Sequence, residues 1–124
     1  MAAVEFQRIM ARPAPPVRQP APGELDFARI NAWALDRLGD LLRLTAPLGR
    51  RETTPAGAIV WQGFHPARPL IVQVCLFTGA WAEPVTCKGG RDLVSFAAHV
   101  FGLSPGAAAR RLAAWLGIEA VRHV

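Results

Sequence analysis

The sequence predicts an α+β fold: a small three-stranded antiparallel sheet with one long helix before it and two short helices after it. Three observations carry this expectation. Apolar residues recur with helical spacing from Glu24 to Leu44, change to β-branched and aromatic runs between Ala58 and Thr86, and return to helical spacing from Leu93 onward. Glycine, proline and serine stand at the points where the period changes. Hydrophobic residues make up 52% of the 124 positions against 19% charged, enough apolar material for one modest core.

Residues 1–23 read as a proline-rich, semi-extended arm, with Pro13, Pro15, Pro16, Pro20 and Pro22 among Arg8, Arg12 and Arg18. Its two readings are a solvated tail and a segment that docks a partner through Val4, Phe6, Ile9 and Met10. Residues 24–124 form the folded module. Its first helix is expected over Glu24–Leu44, where Leu25, Ala28, Ala32, Leu35, Leu38 and Leu42 with Ile30, Trp33 and Leu41 give a wide apolar stripe. Arg29, Asp36, Arg37, Asp40 and Arg43 occupy the opposite side, and Pro47 and Gly49 end the helix before a loop opened by Arg50 and Arg51.

The three strands are expected at Ala58–Trp61, Leu70–Phe77 and Ala80–Thr86, separated by a proline-bearing loop, 63–69, and by a tight turn at Thr78-Gly79-Ala80. In the second strand Val72, Val74 and Leu76 share one face, and Ile71, Gln73, Cys75 and Phe77 the other. A meander follows, with helices over one face and the other partly open. Lys88-Gly89-Gly90-Arg91 breaks the strand and leads into a helix carrying Leu93, Phe96, Ala97 and Val100 on one side, with Asp92 where a carboxylate suits the first turn and Gly102 as the stop. Ser104-Pro105 restarts the chain as N-cap and first helical residue, and strong helix formers run from Ala107 to Leu116 before Gly117. Helices so closely joined pack as a corner or hairpin.

No apolar run approaches the roughly 20 residues that cross a bilayer, and the first 23 residues lack the pattern of a signal peptide, so a cytoplasmic, non-membrane protein is expected. Two cysteines, Cys75 and Cys87, are too few for a disulfide scaffold. The net charge of +5 is almost wholly arginine, with Lys88 the single lysine. Arginine favours planar, bidentate contact with phosphate or carboxylate, which suits nucleic acid or an acidic protein surface equally.

Thr78-Gly79-Ala80-Trp81-Ala82-Glu83, Gly90-Arg91-Asp92-Leu93-Val94, Gly102-Leu103-Ser104 and the Ala108–Gly117 helix, with Leu48-Gly49-Arg50-Arg51-Glu52 upstream, carry a family likeness. Together they resemble the amino-terminal zinc-binding domain of DNA primases, in the divergent form that begins the primase-helicases of phages, plasmids and integrated elements. The likeness spans about Glu24 to Ile118. It implies a zinc-ribbon-like module that contacts single-stranded template and assists a separate catalytic domain. The family's four metal-binding positions fall here on Trp61, Phe64, Pro84 and Cys87, of which only Cys87 can ligate zinc, so a zinc-free form without cofactor is expected. An improvised set from His65, Cys75, Cys87 and His99 matches no ligand spacing.

The sequence also holds no phosphate-binding glycine loop and no defensible pair of metal-binding carboxylates, which argues against an enzyme. The leading expectation is a stand-alone, non-catalytic module of mobile-element DNA replication that binds single-stranded DNA weakly. Its basic candidates are Lys88, Arg91, Arg110 and Arg111 near the glycine turn, with Arg50, Arg51 and Arg68 on loops; Phe77, Trp81 or Trp61 would stack bases from the sheet. Trp81 has a competing role as core bulk. The alternative is a protein-binding adaptor or inhibitor acting on a replication or mobile-element protein. A single stripe of apolar and basic residues on the open sheet face would favour the first, and an uncharged apolar patch the second.

Overall fold

The structure is a computed structural model that describes residues 20, 21 and 23–122, so the expectations for 1–19 lie outside the described residues. Among the described residues two helices precede the sheet and two follow it: α1 Phe27–Asp36, α2 Leu38–Thr45, β1 Leu48–Thr53, β2 Ile59–Phe64, β3 Ile71–Cys75, β4 Trp81–Glu83, β5 Lys88–Gly90, α3 Leu93–Phe101 and α4 Pro105–Leu116. The sheet is an antiparallel meander in the order β1-β2-β3-β4-β5. Five strands stand where three were expected, and the single amino-terminal helix is two.

Both added strands come from segments whose composition conceals them. β1, Leu-Gly-Arg-Arg-Glu-Thr, was expected as loop because it is polar, yet it pairs along its whole length with β2 as an edge strand. Arg50, Arg51 and Glu52 are side chains that discourage a further strand from adding to an edge. Gly49 is required by close approach: a Cβ there would lie 2.1 Å from the Gln62 carbonyl oxygen. β5 uses the Gly89-Gly90 pair, expected as a strand breaker, because bulk is excluded beside Trp81, which Gly90 faces in the register. Between β4 and β5 the Pro84–Cys87 turn places Cys87 at φ +56°, the left-handed region rarely used by a residue with a side chain.

The helix break falls at Arg37, whose N–H bonds the Ala34 carbonyl three residues back, just before Gly39 lowers the local helix propensity. Ile30 and Ala34 of α1 and Leu38, Leu41 and Leu42 of α2 still point to one core, whereas Ala28, Ala32 and Trp33 of the expected stripe face out. At the other end of the chain the expected helix joint forms. Asp92 caps α3 by accepting from Ser95 N at 2.8 Å, and Gly102 ends it at φ +66°. Leu103 N bonds back to the Ala98 carbonyl across that glycine. Ser104 caps α4 through Ala107 N, and Gly117 ends it at φ +75°. A second donor at the α3 start, Val94 N, is taken by Asn31 Oδ1 of α1 at 2.9 Å, which ties the two helical pairs together.

The core lies between the helices and one sheet face. Val72, Val74 and Trp81 meet Leu93, Phe96 and Ala97 of α3, the buried side of α4, and the apolar side of α1–α2. Burying Phe96 completely makes it a central support, since truncating such a ring costs about 3–5 kcal/mol. The two indoles on this face have their N–H groups satisfied: Trp61 Nε1 donates to the Ala46 carbonyl at 2.9 Å and Trp81 Nε1 to Ser95 Oγ at 2.9 Å. The module is closed by pairing of its ends. Leu25 bridges Val121, Gly23 N bonds the Arg122 carbonyl, and Arg122 N bonds the Glu24 carbonyl.

Candidate nucleic-acid interface

The expected basic cluster is divided by the fold. Lys88 starts β5 beside the Pro84–Cys87 turn, while Arg91 follows the far end of that strand, half-buried before the α3 cap. Arg110 and Arg111 are exposed on α4. Arg50 and Arg51, consecutive on β1, point to opposite sheet faces; Arg50 Nε pairs with Glu52 Oε1 at 2.8 Å, and Arg51 lines a small cleft with Arg43, Trp61 and Leu76. Arg68 stands exposed on the β2–β3 loop.

Arg68 is the residue at which the basic side chains meet. It lines a cleft of about 340 Å³ with Arg111, Phe101 and Trp115 between the loop and the helices. It also borders an open groove of about 730 Å³ with Arg50, Phe64, Ile71 and Val85 at the same end of the sheet. In the first cleft the guanidinium of Arg111 lies 5.0 Å from the Phe101 ring centre, and Arg37, which does not line the cleft, holds its guanidinium 4.6 Å from the Trp115 ring centre. These contacts hold the cations over aromatic faces, where the ring quadrupole favours them.

The aromatic expectations fare unevenly. Trp81 is 3% exposed, packed edge-on to Phe96 at 5.8 Å and stacked on His99 at 4.8 Å, so it is core and offers no platform to a base. Trp61 is half-buried and held by Ala46. Phe77 is 70% exposed but sits in the β3–β4 turn, at the end of the sheet opposite Arg68. The accessible rings beside the arginines are Phe64, Phe101 and Trp115, which the sequence reading did not assign to the interface. Arg111 and Trp115 are one helical turn apart, a spacing visible in the sequence; their meeting with Arg68 depends on how the β2–β3 loop reaches the helices.

The residues at the family's metal positions do not converge. Trp61 faces the helices and Phe64 lies on the opposite side of β2, three residues on, while Pro84 and Cys87 form the β4–β5 turn with Cys87 Sγ 3.7 Å from the Pro84 carbonyl. The improvised set is scattered as well. Cys75 is buried on the sheet face away from the helices, and His65 Nδ1 accepts from Ala67 N. His99 Nε2 meets Glu83 Oε2 at 2.5 Å on the helix side, where Thr86 Oγ1 also donates to Glu83. Among the described residues no three of His, Cys, Asp and Glu gather as a metal site. No described helix is long and apolar enough to cross a membrane.

Comparison with models of protein families, with curated proteins and with solved structures returns no match.

Proposed function

We propose that this chain is a non-catalytic accessory module of mobile-element DNA replication, related to the primase amino-terminal domain, that acts in the cytoplasm and contacts single-stranded DNA. The observation that carries the reading is the position of Arg68, shared by a cleft containing Arg111 and a groove containing Arg50. Planar guanidinium groups over this span would track a phosphate backbone, and Phe64, exposed between them, would take a base face. Basic and apolar side chains coincide here at one end of the sheet. Lys88, beside the neighbouring turn, extends the same positive end.

The test is fluorescence anisotropy with labelled oligonucleotides at two salt concentrations. Weak, sequence-tolerant binding is expected, falling with salt at a slope of about 0.7 per phosphate contact. The double variant Arg68→Ala/Arg111→Ala is expected to lower that slope by about 1.4, two contacts' worth. Arg110→Ala, on a residue that lines neither cleft, has the smaller effect. Absence of binding at low salt, or binding indifferent to the double variant, overturns the reading.

A second reading rests on a different feature of the groove. Phe64, Ile71 and Val85 are all exposed there, and Arg50 is already neutralised by Glu52. Such a rim suits a protein partner, making the chain an adaptor or inhibitor of a replication enzyme. Oligonucleotide binding seen only in the presence of that enzyme would favour it.

A further inference from the structure

The cleft shared by Arg68 and Arg111 joins two guanidinium groups to an apolar wall. Its floor is Ala97 of α3 with Ala108 and Leu112 of α4, all three buried. The two alanines create the space: α3 and α4 pack against each other there, and a methyl at each position leaves open what a longer side chain would fill. Leu41 and the exposed Leu44 of α2 supply one side. The volume of about 340 Å³ falls at the lower end of small-molecule sites, which run from about 300 to 1,000 Å³.

Both charged residues of the lining are cations without a counter-ion. Among the described residues neither Arg68 nor Arg111 forms an ion pair, and no carboxylate lines the cleft, whereas Arg37 and Arg43 share Asp40 and Arg50 has Glu52. Both are also held in advance of any ligand. Arg68 stands between Pro66 and Pro69 in a loop braced by three hydrogen bonds: Ala67 N to His65 Nδ1 at 3.0 Å, Leu70 N to the Arg68 carbonyl at 2.8 Å and His65 N to the Leu70 carbonyl at 3.2 Å. Arg111 rests on the Phe101 ring. Cations ordered beforehand lose less freedom when an anion binds.

The rest of the lining argues against a nucleobase as occupant. A base edge presents acceptors and donors together, but the lining side chains offer donors alone, from the two guanidinium groups. Phe101 and Trp115 each already carry a cation, Arg111 and Arg37. An apolar body, by contrast, meets Leu41, Leu44 and Leu112 without leaving a polar group unpaired. We propose that this cleft binds a free carboxylate amphiphile, with its acidic head between Arg68 and Arg111 and its alkyl or aryl body over Ala97, Ala108 and Leu112. A planar carboxylate matches the paired N–H groups of a guanidinium, and apolar surroundings strengthen an attraction that water would weaken. The occupant is a small molecule and not a partner's helix, since a helix about 10 Å across does not enter a space of about 340 Å³. Binding does not depend on DNA contact, but it uses the same two arginines, so the amphiphile and a single strand exclude each other there.

The test is isothermal titration of the full chain with decanoate, below its micelle concentration and without DNA. One saturable site is expected, with decanol and decyltrimethylammonium weaker by about tenfold or more, because neither offers an anion to the two arginines. Arg68→Gln and Arg111→Gln, both at exposed positions, are each expected to weaken decanoate by about tenfold or more with circular dichroism unchanged. Leu44→Glu, which sets a negative charge on the exposed side of the cleft, is expected to weaken decanoate and not decanol. Arg29→Gln, which changes the net charge equally on an exposed α1 position outside the cleft, is expected to leave binding as it was. Absence of decanoate binding, decanol bound as tightly as decanoate, or indifference to both cleft arginines overturns the proposal. With no oligonucleotide present, failure here leaves the single-strand reading standing, and failure of the anisotropy test leaves this site standing.

Discussion

Replacing Gly90 by alanine isolates the junction between β5 and α3. The φ of Gly90 is not in the left-handed region, so the substitution carries no backbone penalty and its effect is steric. The new Cβ would lie 2.2 Å from Ser95 Oγ, 2.7 Å from Trp81 Nε1 and 3.0 Å from Ser95 Cβ. It would occupy the space of the 2.9 Å hydrogen bond between those two side chains. Overpacking of this kind costs about 1–3 kcal/mol, and a buried indole N–H deprived of its acceptor about 1–3 kcal/mol more. A loss of about 2–4 kcal/mol is therefore expected, allowing for overlap between the two effects. At about 3–6 °C per kcal/mol for a chain of this size, the melting temperature falls by about 6–24 °C. The assay is thermal and urea unfolding of Gly90→Ala, Ser95→Ala and the double variant. Ser95→Ala already removes the acceptor and the nearest clashing atom, so the double variant is expected to be less destabilised than the sum of the singles by about 1 kcal/mol or more. Additive losses, or a Gly90→Ala protein as stable as the parent, would refute the account of this junction.

Other sites give simpler expectations. Gly102→Val places a branched residue at φ +66° with open space around its Cβ, so the backbone term of about 1–2 kcal/mol acts alone and shows as a lowered urea midpoint. Ser104→Ala removes the α4 cap and lowers stability by about 0.5–2 kcal/mol in the same assay. Asn31→Ala leaves Val94 N without its acceptor and is expected to cost about 1–3 kcal/mol although the residue lies on another helix. Glu83→Ala strips half-buried His99 of its hydrogen-bond partner and costs about 1–3 kcal/mol, part of which Glu83→Ala/His99→Phe restores. Prolonged treatment with a zinc chelator is expected to leave the melting temperature unchanged; unfolding on chelation, with stoichiometric zinc in the untreated protein, would refute a zinc-free fold.

The local stops and starts of this chain are written in its sequence. Asp92, Gly102, Ser104, Pro105 and Gly117 act within one helical turn of themselves, and the structure uses each as its chemistry dictates: caps that accept from N–H groups and glycines with positive φ. Gly79 likewise turns β3 into β4 at φ +77°. The helix–sheet–helix order is legible for the same reason. What the sequence leaves open is decided by partners distant in the chain. β1 is a strand only because β2 lies beside it, since a run of Gly-Arg-Arg-Glu has little preference of its own for extended structure. Gly89-Gly90 is a strand and not a break because Trp81 and Ser95 leave room for nothing larger. Whether Trp81 is a platform or core depends on which sheet face the helices cover, and alternation alone is symmetric between the two faces. Arg68 meets Arg111 across 42 intervening positions by the reach of a loop, which no period or motif encodes. Short-range hydrogen bonding and backbone sterics are properties of a few adjacent residues, whereas burial and the meeting of charges are properties of the packed whole.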